Sequence, residues 1–245
     1  MRVFISFLIF LLGATASAET ATVAVARNFE PTLRTLAEHF QEETGYRLKI
    51  SSGSTGKLYA QIVNGAPFDV FLAADQARPA ALESTPHAVA DSRFTYATGR
   101  LVLWQPAEES MNADSLHSAG LNTLSIANPD LAPYGAAAQK LLSDLPENKA
   151  FSARIVLGED VGQAFAFVRT GNAEMGFVAK SQVLGLPAGD RGAFWEPNPT
   201  LYPPIYQDAI LLRRGAKNEA AVAFLAFLQQ PDTQDRLREF GYDTP

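Results

Sequence analysis

The stretch Ser51-Ser52-Gly53-Ser54-Thr55-Gly56-Lys57 decides the fold that this sequence predicts. It follows residues 47–50, which have the composition of a β-strand, and precedes Leu58 and Ile62, whose spacing places them on one face of a helix. The first N–H groups of a helix have no partner within the helix and carry partial positive charge. A strand-to-helix turn that is rich in glycine and hydroxyl groups therefore predicts a binding site for an anion.

This stretch differs from a nucleotide-binding P-loop. That motif requires four residues between its two glycines and a Ser or Thr after its Lys. Here two residues separate Gly53 from Gly56, and Leu58 follows Lys57, so no hydroxyl group is placed to bind magnesium. An ordinary hydroxyl N-cap remains the alternative to an anion site. The functional interpretation therefore depends on finding further turns of the same kind.

The composition is that of a globular protein with a sizeable core. The 245 residues are 47% hydrophobic and 19% charged, and the formal net charge is −6 at pH 7. An acidic chain without a run of Lys or Arg argues against binding to nucleic acid or to an anionic membrane surface. The chain has no Cys, which excludes disulfides and thiolate chemistry. Its 3 His lack the spacing of zinc ligands, so we predict no zinc site.

The first 18 residues have the features of a secretory signal peptide. Met1-Arg2 gives a basic start, residues 3–12 are apolar apart from Ser6, and Ala16-Ser17-Ala18 is a small-residue cleavage site. The apolar run is too short to span a bilayer. We therefore expect cleavage near Ala18 and export to the periplasm.

Strand and helix patterns alternate along the rest of the chain. This alternation predicts an α/β fold with mainly parallel sheets flanked by helices. The predicted strands are residues 22–26, 47–50, 68–73, 101–104, 124–127, 154–157, 175–178 and 209–212. The predicted helices follow Pro31 and Ser54, start at Asp75, lead up to Leu145 and Thr170, and cover 219–229 and 231–240.

The strand-turn-helix units fall into two groups, which predict two lobes. We assign residues 19–97 and 205–245 to the first lobe and residues 98–204 to the second. Four turns offer helix N-termini, two in each group: at Asn28, at Ser54 or Thr55, at Tyr134 and at Val161. Ligands of open α/β sheets bind beyond the carboxyl ends of the strands. Two lobes that face each other would thus surround a small anion with four amide-rich turns.

Several blocks of the sequence are similar to the family of periplasmic molybdate-binding proteins. The blocks are Val23-Ala24-Val25-Ala26-Arg27-Asn28-Phe29, residues 53–62, Gly65-Ala66-Pro67-Phe68-Asp69-Val70-Phe71, Gly158-Glu159-Asp160-Val161 and residues 171–176. They occur in the family's order and span essentially the whole mature chain. The resemblance implies a two-lobed periplasmic binding protein of type II. It also implies delivery of a tetrahedral oxyanion to an ABC importer, whose permease lies in the inner membrane with its ATPase.

The resemblance also implies which residues bind the oxyanion. Asn28 matches the ligand of the first loop, either Ser54 or Thr55 matches that of the second, and Val161 matches a ligand that acts through its backbone amide. One branch of the family has a ligand Tyr where this chain has Ala179. The other branch has it in the loop of residues 128–135, where this chain has Tyr134, so the resemblance favours that branch.

Arg27 departs from the pattern of the family, in which the matching residue is usually small. Its guanidinium group would contact the anion directly, or only its backbone amide would matter while the side chain lies in solvent. Both interpretations remain open from the sequence. The predicted oxyanion-binding residues are therefore Arg27, Asn28, Ser54, Thr55, Tyr134 and Val161.

Uncharged donors suit the ligand that the resemblance implies. Molybdate and tungstate are fully deprotonated dianions near neutral pH, so their oxygens only accept hydrogen bonds. Each helix N-terminus contributes the equivalent of roughly half a unit charge, so several can offset a dianion without a buried countercharge. Phosphate still carries a proton and would need a carboxylate acceptor. The nearby carboxylates, Glu30, Asp130, Glu159 and Asp160, are interpreted as solvated or as helix-N-terminal groups.

The predicted function is therefore capture of molybdate, and of tungstate, by an exported monomeric binding protein that needs no cofactor. The alternatives are a binding protein for another tetrahedral oxyanion, sulfate or phosphate, or an exported hydrolase. Sulfate is also free of protons, so donor chemistry alone does not exclude it. A hydrolase would need a nucleophile with a base or metal ligands. The chain has no Gly-x-Ser-x-Gly motif and no Cys, so we predict that it is not an enzyme.

Overall fold

The structure, a computed structural model, describes residues 19–118, 121–144 and 153–245. The predicted signal peptide and the predicted helix end at Leu145 lie outside these residues. Within the described residues, ten strands form two sheets of five strands each. The strands are β1 (Thr20–Ala26), β2 (Arg47–Gly53), β3 (Val70–Leu72), β4 (Phe94–Gly99), β5 (Leu101–Gln105), β6 (Thr123–Ala127), β7 (Arg154–Gly158), β8 (Met175–Ala179), β9 (Ala193–Trp195) and β10 (Ile205–Leu211).

Helices follow most of the strands. They are α1 (Glu30–Thr44), α2 (Thr55–Val63), α3 (Ala77–Glu83), α4 (Pro133–Ser143), α5 (Val161–Arg169), α6 (Lys180–Leu184), α7 (Glu219–Leu228) and α8 (Pro231–Glu239). Gly45 ends α1 in the left-handed conformation, with φ of 76°, as expected for a C-terminal glycine. None of the helices in the described parts of the chain combines the length and apolar character that crossing a membrane requires.

The two sheets share one arrangement. The first has the order β2-β1-β3-β10-β4, and the second has the order β7-β6-β8-β5-β9. In each sheet one strand, β10 or β5, runs antiparallel to both of its neighbours, and the other pairings are parallel. The expected α/β fold with two mainly parallel sheets is therefore confirmed. We call each sheet with its helices a lobe.

The chain passes between the lobes at two neighbouring places. Arg100 alone separates the end of β4 from the start of β5, and the chain returns between β9 and β10. Ile205, the first residue of β10, pairs with Gly99, the last residue of β4. Both connections therefore lie side by side at one edge of the first sheet. Its strands lie within residues 20–99 and 205–211, and the division at 97/98 and 204/205 stays a prediction.

Each lobe has its own apolar core. In the first lobe Phe40 of α1 packs edge-on against Phe224 and Phe227 of α7, with ring centroids 5.4 Å apart in both pairs. In the second lobe the buried Trp104 of β5 stacks on Phe165 of α5 at 4.7 Å. The large aromatic area buried in each lobe stabilises it as a unit that can keep its shape when the other lobe moves.

The predicted elements differ from the observed ones mainly at the strands near the crossings. The sequence interpretation had no strand at β4 or β9 and no helix at α6. β2 continues to Gly53, three residues beyond its predicted end, because Val25 and Ala26 of β1 pair with Ser52 and Gly53. β3 is shorter than predicted and covers Val70–Leu72.

Candidate anion-binding site

The four turns identified in the sequence meet around one cavity between the lobes. They follow β1 and β2 in the first sheet and β6 and β7 in the second, at the carboxyl ends of these strands. The empty volume is ≈ 200 Å³. All six predicted residues line it, together with Ala26, Gly53, Ala74, Ala132, Pro133 and Asp160.

Helix N-termini supply free N–H groups to this cavity. Thr55 is the first residue of α2, Val161 is the first residue of α5, and Tyr134 is the second residue of α4. The N–H groups of Asn28, Thr55 and Val161 have no hydrogen-bond acceptor among the residues that the structure describes. Unpaired N–H groups with the positive end of the helix dipole behind them are suited to bind an anion.

Ser54 and Thr55 are both buried and both keep a hydroxyl proton to donate. The Ser54 oxygen caps α2 and accepts from the N–H of Lys57 at 3.4 Å. The Thr55 oxygen accepts from the N–H of Ala74 at 3.2 Å. Because each oxygen acts as an acceptor from the protein, each O–H remains available as a donor. The structure thus brings both residues to the cavity without choosing between them.

Tyr134 is 2% exposed and is one of the residues that line the cavity. The side chain of Gln207, on β10 of the other lobe, donates to the Tyr134 hydroxyl oxygen at 3.5 Å. Burial raises the pKa of Tyr134 well above its usual value, although hydrogen bonds from Gln207 and Asn28 partly oppose this effect. The hydroxyl group therefore stays protonated and neutral near pH 7.

Asn28 is fixed by residues from distant parts of the chain. Its Nδ2 donates to Gln207 Oε1 at 3.0 Å and to the Tyr242 hydroxyl at 3.4 Å. The Tyr242 hydroxyl in turn donates to the Asn28 carbonyl oxygen at 3.0 Å. Asn28 Oδ1 is buried and has no partner among the described residues. The side-chain amide of Asn28 therefore has an oxygen that accepts no hydrogen bond.

The Arg27 side chain is neither free in solvent nor buried in the cavity. It is 39% exposed, and its Nη1 lies 2.5 Å from Glu30 Oε2. Its Nε lies 3.4 Å from Asp160 Oδ2 in the other lobe. The expectation that the Arg27 side chain lies in solvent is therefore wrong, while a role for its amide alone stays a prediction. Direct contact of the guanidinium with an anion stays a prediction.

Asp160 contributes a carboxylate to the cavity wall. Its side chain is 9% exposed, and its Oδ1 accepts from the N–H of Gln163 at 2.9 Å, which makes it the N-cap of α5. The interpretation of this residue as a helix-N-terminal carboxylate is correct, but it is not solvated. Both of its oxygens already have partners, Gln163 and Arg27.

Further contacts join the lobes beside the cavity. The N–H of Gly56 donates to the carbonyl oxygen of Leu131 at 3.0 Å, and Lys57 Nζ lies 2.6 Å from Glu159 Oε2. A Cβ atom on Gly56 would lie 3.2 Å from that same carbonyl oxygen, so the glycine permits this approach. The structure is therefore a closed form in which the lobes touch around the cavity.

The sequence interpretation missed Gln207 and Tyr242 as parts of the site. Gln207 lies 179 residues from Asn28, and Tyr242 lies 214 residues from it. Neither belongs to a motif, and a single polar residue in or near an apolar strand gives no signal of its partner. Among the described residues, no three His, Asp or Glu side chains come together as a metal site would require.

Comparison with known proteins places the chain in a family. Residues 21–243 match the bacterial extracellular solute-binding proteins. The molybdate-binding protein ModA of Azotobacter vinelandii is 44% identical over 234 residues, which cover 95% of this chain and 93% of that protein. The chain belongs to the ModA family of these solute-binding proteins. ModA of Rhodobacter capsulatus is 40% identical over 235 residues, which cover 95% of this chain and 92% of that protein.

A solved ModA-family structure has the same fold. The periplasmic molybdate-binding protein of Azotobacter vinelandii superposes with a TM-score of 0.84 at 38% identity. The match covers 92% of this chain and 99% of that one. The two-lobed arrangement described above is thus the arrangement of this family.

Proposed function

We propose that this protein captures molybdate, and also tungstate, between its two lobes and delivers the anion to an ABC importer. The importer consists of a membrane permease with its ATPase. One observation carries the proposal: residues from four separate turns, two in each lobe, line a single cavity between the lobes. The names of the relatives with 44% and 40% identity support the same ligand.

The donors match an oxyanion that carries no proton. The N–H groups of Asn28, Thr55 and Val161 and the hydroxyl groups of Ser54 and Tyr134 all donate without adding charge. In a site closed from water, such fixed dipoles are stronger than in solution. We therefore assign these five residues to oxyanion binding and Arg27 to the wall of the site.

Phosphate would find no free carboxylate acceptor among the described residues that line this cavity. Hydrogen phosphate has an O–H group that must donate to the protein. The carboxylate in the wall, Asp160, already accepts from Gln163 and pairs with Arg27. Donating to Asp160 would mean replacing one of these partners, and Asn28 Oδ1, the unpartnered acceptor, is a neutral amide oxygen that binds an O–H group less strongly than a carboxylate. We therefore expect hydrogen phosphate to bind more weakly than a proton-free oxyanion.

The proposal also covers how the protein is exported, its oligomeric state and the closure of its lobes. We propose export by a signal peptide of residues 1–18 that is cleaved near Ala18, and action as a monomer in the periplasm. The lobes, residues 19–97 with 205–245 and residues 98–204, close over the anion, and the importer recognises the closed form. The protein is a carrier that needs no cofactor and catalyses no reaction.

A thermal-shift screen followed by calorimetry tests the proposal. The mature protein is mixed with molybdate, tungstate, sulfate, phosphate or chromate at one ionic strength. A ligand at about a hundredfold over its Kd adds about 2.7 kcal/mol to the free energy of unfolding, which gives a clear shift. We expect shifts with molybdate and tungstate and little with phosphate. A shift with sulfate or phosphate, and none with molybdate, would contradict the proposal.

A further inference from the structure

Arg27 and Asp160 form an ion pair that crosses from one lobe to the other. Arg27 follows β1, and Asp160 caps α5 after β7. Arg27 Nε lies 3.4 Å from Asp160 Oδ2, and both residues line the cavity. Asp160 is 6% exposed as a whole residue, so the surrounding water screens its charge only weakly.

The position of Arg27 is fixed from three sides. Glu30 pairs with it at 2.5 Å and is itself held by the hydroxyl of Ser52 at 2.6 Å. On the other lobe, a Cβ atom on Gly162 would lie 2.2 Å from Cγ of Arg27, so the arginine stem packs directly on this glycine. Partial burial alone would lower the pKa of Arg27, but the carboxylates of Asp160 and Glu30 raise it above its usual value.

The pair also lies away from the chain crossings. In the first sheet β1, which precedes Arg27, lies two strand spacings from β10, or about 10 Å. In the second sheet β7, which precedes Asp160, lies three strand spacings from β5, or about 14 Å. The crossings join β4 to β5 and β9 to β10. Arg27 and Asp160 therefore meet on the side of the cavity opposite the connections between the lobes.

The carboxylate of Asp160 presents a problem for a dianion in this cavity. It places a negative charge at the N-terminus of α5, where Val161 offers its N–H to the ligand. Two like charges in a poorly hydrated site repel each other strongly. Arg27 supplies the matching positive charge at hydrogen-bond distance, so the cavity wall is neutral overall.

We infer that Arg27 is a positioning residue that acts through Asp160, by neutralising the carboxylate that would otherwise repel the bound oxyanion. This inference rests on the proposed function, because it concerns the same cavity. It replaces direct contact of the guanidinium group with the ligand as the role of the side chain.

Calorimetric titration with molybdate and with tungstate tests the inference. The set comprises the wild type, Arg27→Met, Asp160→Asn, the double variant and Arg34→Met. Asn is a good N-cap, so Asp160→Asn retains the cap of α5 while removing the charge. Arg34 also pairs with Glu30, at 2.7 Å, has no hydrogen bond or ion pair with the other lobe among the described residues, and serves as the matched control.

The expected result is a rescue. Arg27→Met should weaken binding about tenfold or more, Asp160→Asn should tighten it, and the double variant should return to within about threefold of the wild type. Arg34→Met should stay within about twofold. A double variant as weak as Arg27→Met would overturn the inference, because the arginine would then be a ligand or a simple tie between lobes. Wild-type affinity in Arg27→Met would overturn it too.

Failure of the proposed function gives a different pattern. A wild type that binds neither oxyanion refutes the proposed function, and the ion pair is then judged in the ligand-free protein by a double-mutant cycle of thermal unfolding. Coupling between Arg27→Met and Asp160→Asn supports the charge pair, and strictly additive losses overturn it.

Discussion

The hydroxyl group of Tyr134 lies directly over Gly99. A Cβ atom on Gly99 would be 2.2 Å from the Tyr134 hydroxyl oxygen and 2.8 Å from Gln207 Nε2. Gly99 ends β4, one residue before the chain enters the second lobe. The absence of a side chain at this position therefore makes room for the tyrosine that comes from the second lobe, and for its hydrogen bond to Gln207.

Gly99→Ala should weaken oxyanion binding without unfolding either lobe. The added methyl group displaces the Tyr134 hydroxyl from the cavity wall. The loss of one hydrogen bond to a charged, buried acceptor costs about 1–3 kcal/mol, or roughly 5- to 150-fold in Kd. Calorimetry with molybdate measures the change. Gly189→Ala is the control, because nothing lies within 4 Å of a Cβ there. Wild-type affinity in Gly99→Ala would show that the hydroxyl does not contact the ligand.

Tyr134→Phe tests the same donor without steric change. The ring stays buried while the hydroxyl proton is lost, so we expect a loss of about 1–3 kcal/mol in the free energy of molybdate binding. Tyr206→Phe on β10 is the matched control, since the Tyr206 side chain is 45% exposed and lies outside the cavity wall. Equal affinities for the two variants would remove Tyr134 from the site.

Gln207→Glu should make oxyanion binding dependent on pH. The side chain of Gln207 is fully buried between Asn28 and Tyr134. A carboxyl group there stays neutral at low pH because burial raises its pKa, and it becomes a negative charge beside the dianion at higher pH. Affinity for tungstate should therefore fall as the pH rises from about 5.5 to 9. Gln41→Glu, on the exposed end of α1, should bind like the wild type at every pH. A flat profile for Gln207→Glu would argue that Gln207 does not face the ligand residues.

Alkaline pH should destabilise the protein steeply because three buried tyrosines surround the site. Burial raises the pKa of Tyr96 and Tyr134 well above 10 and that of Tyr242 to about 12. Above about pH 10 the unfolded chain loses phenol protons that the folded chain keeps. The free energy of unfolding then falls by about 1.4 kcal/mol per pH unit for each such tyrosine, until the pH reaches the folded pKa.

Urea unfolding between pH 8.5 and 11 measures this slope. Tyr134→Phe should make the fall of the free energy of unfolding with pH less steep by the contribution of one tyrosine. Tyr206→Phe should leave the slope unchanged. A decline with the same slope in wild type and Tyr134→Phe would mean that Tyr134 ionises equally in the folded and unfolded chains.

Local pattern was sufficient to predict the four turns. Ser54 before α2 and Asp160 before α5 are ordinary N-caps, and each follows a run with strand composition, so strand, turn and helix could be assigned from neighbouring residues. The carboxyl-end rule for α/β sheets then placed the turns on one side of each sheet. The turns that face the cavity could therefore be found without coordinates, although half of the residues that line it were not predicted.

Contacts between distant segments were beyond that kind of reasoning. The partner of Arg27 lies 133 residues away, and nothing near Arg27 indicates that its charge is matched by Asp160. β5 was predicted, but β4 was missed, because Arg100 alone separates the two strands and the change of sheet between them depends on tertiary contacts. The exposure of Arg27 stayed undecided from the sequence for the same reason: the lobe that covers it comes from a later part of the sequence.

The side-by-side crossings at Gly99 and Ile205 have a consequence for how the anion departs. Two neighbouring connections between lobes act as one hinge. When the lobes rotate about it, residues near the hinge move little and residues far from it move most. Tyr134 lies beside the hinge, against Gly99, whereas Arg27 and Asp160 lie on the opposite side of the cavity. We therefore expect the lobes, when they rotate apart about these connections, to separate further at Arg27 and Asp160 than at Tyr134, so that the anion leaves on the arginine side.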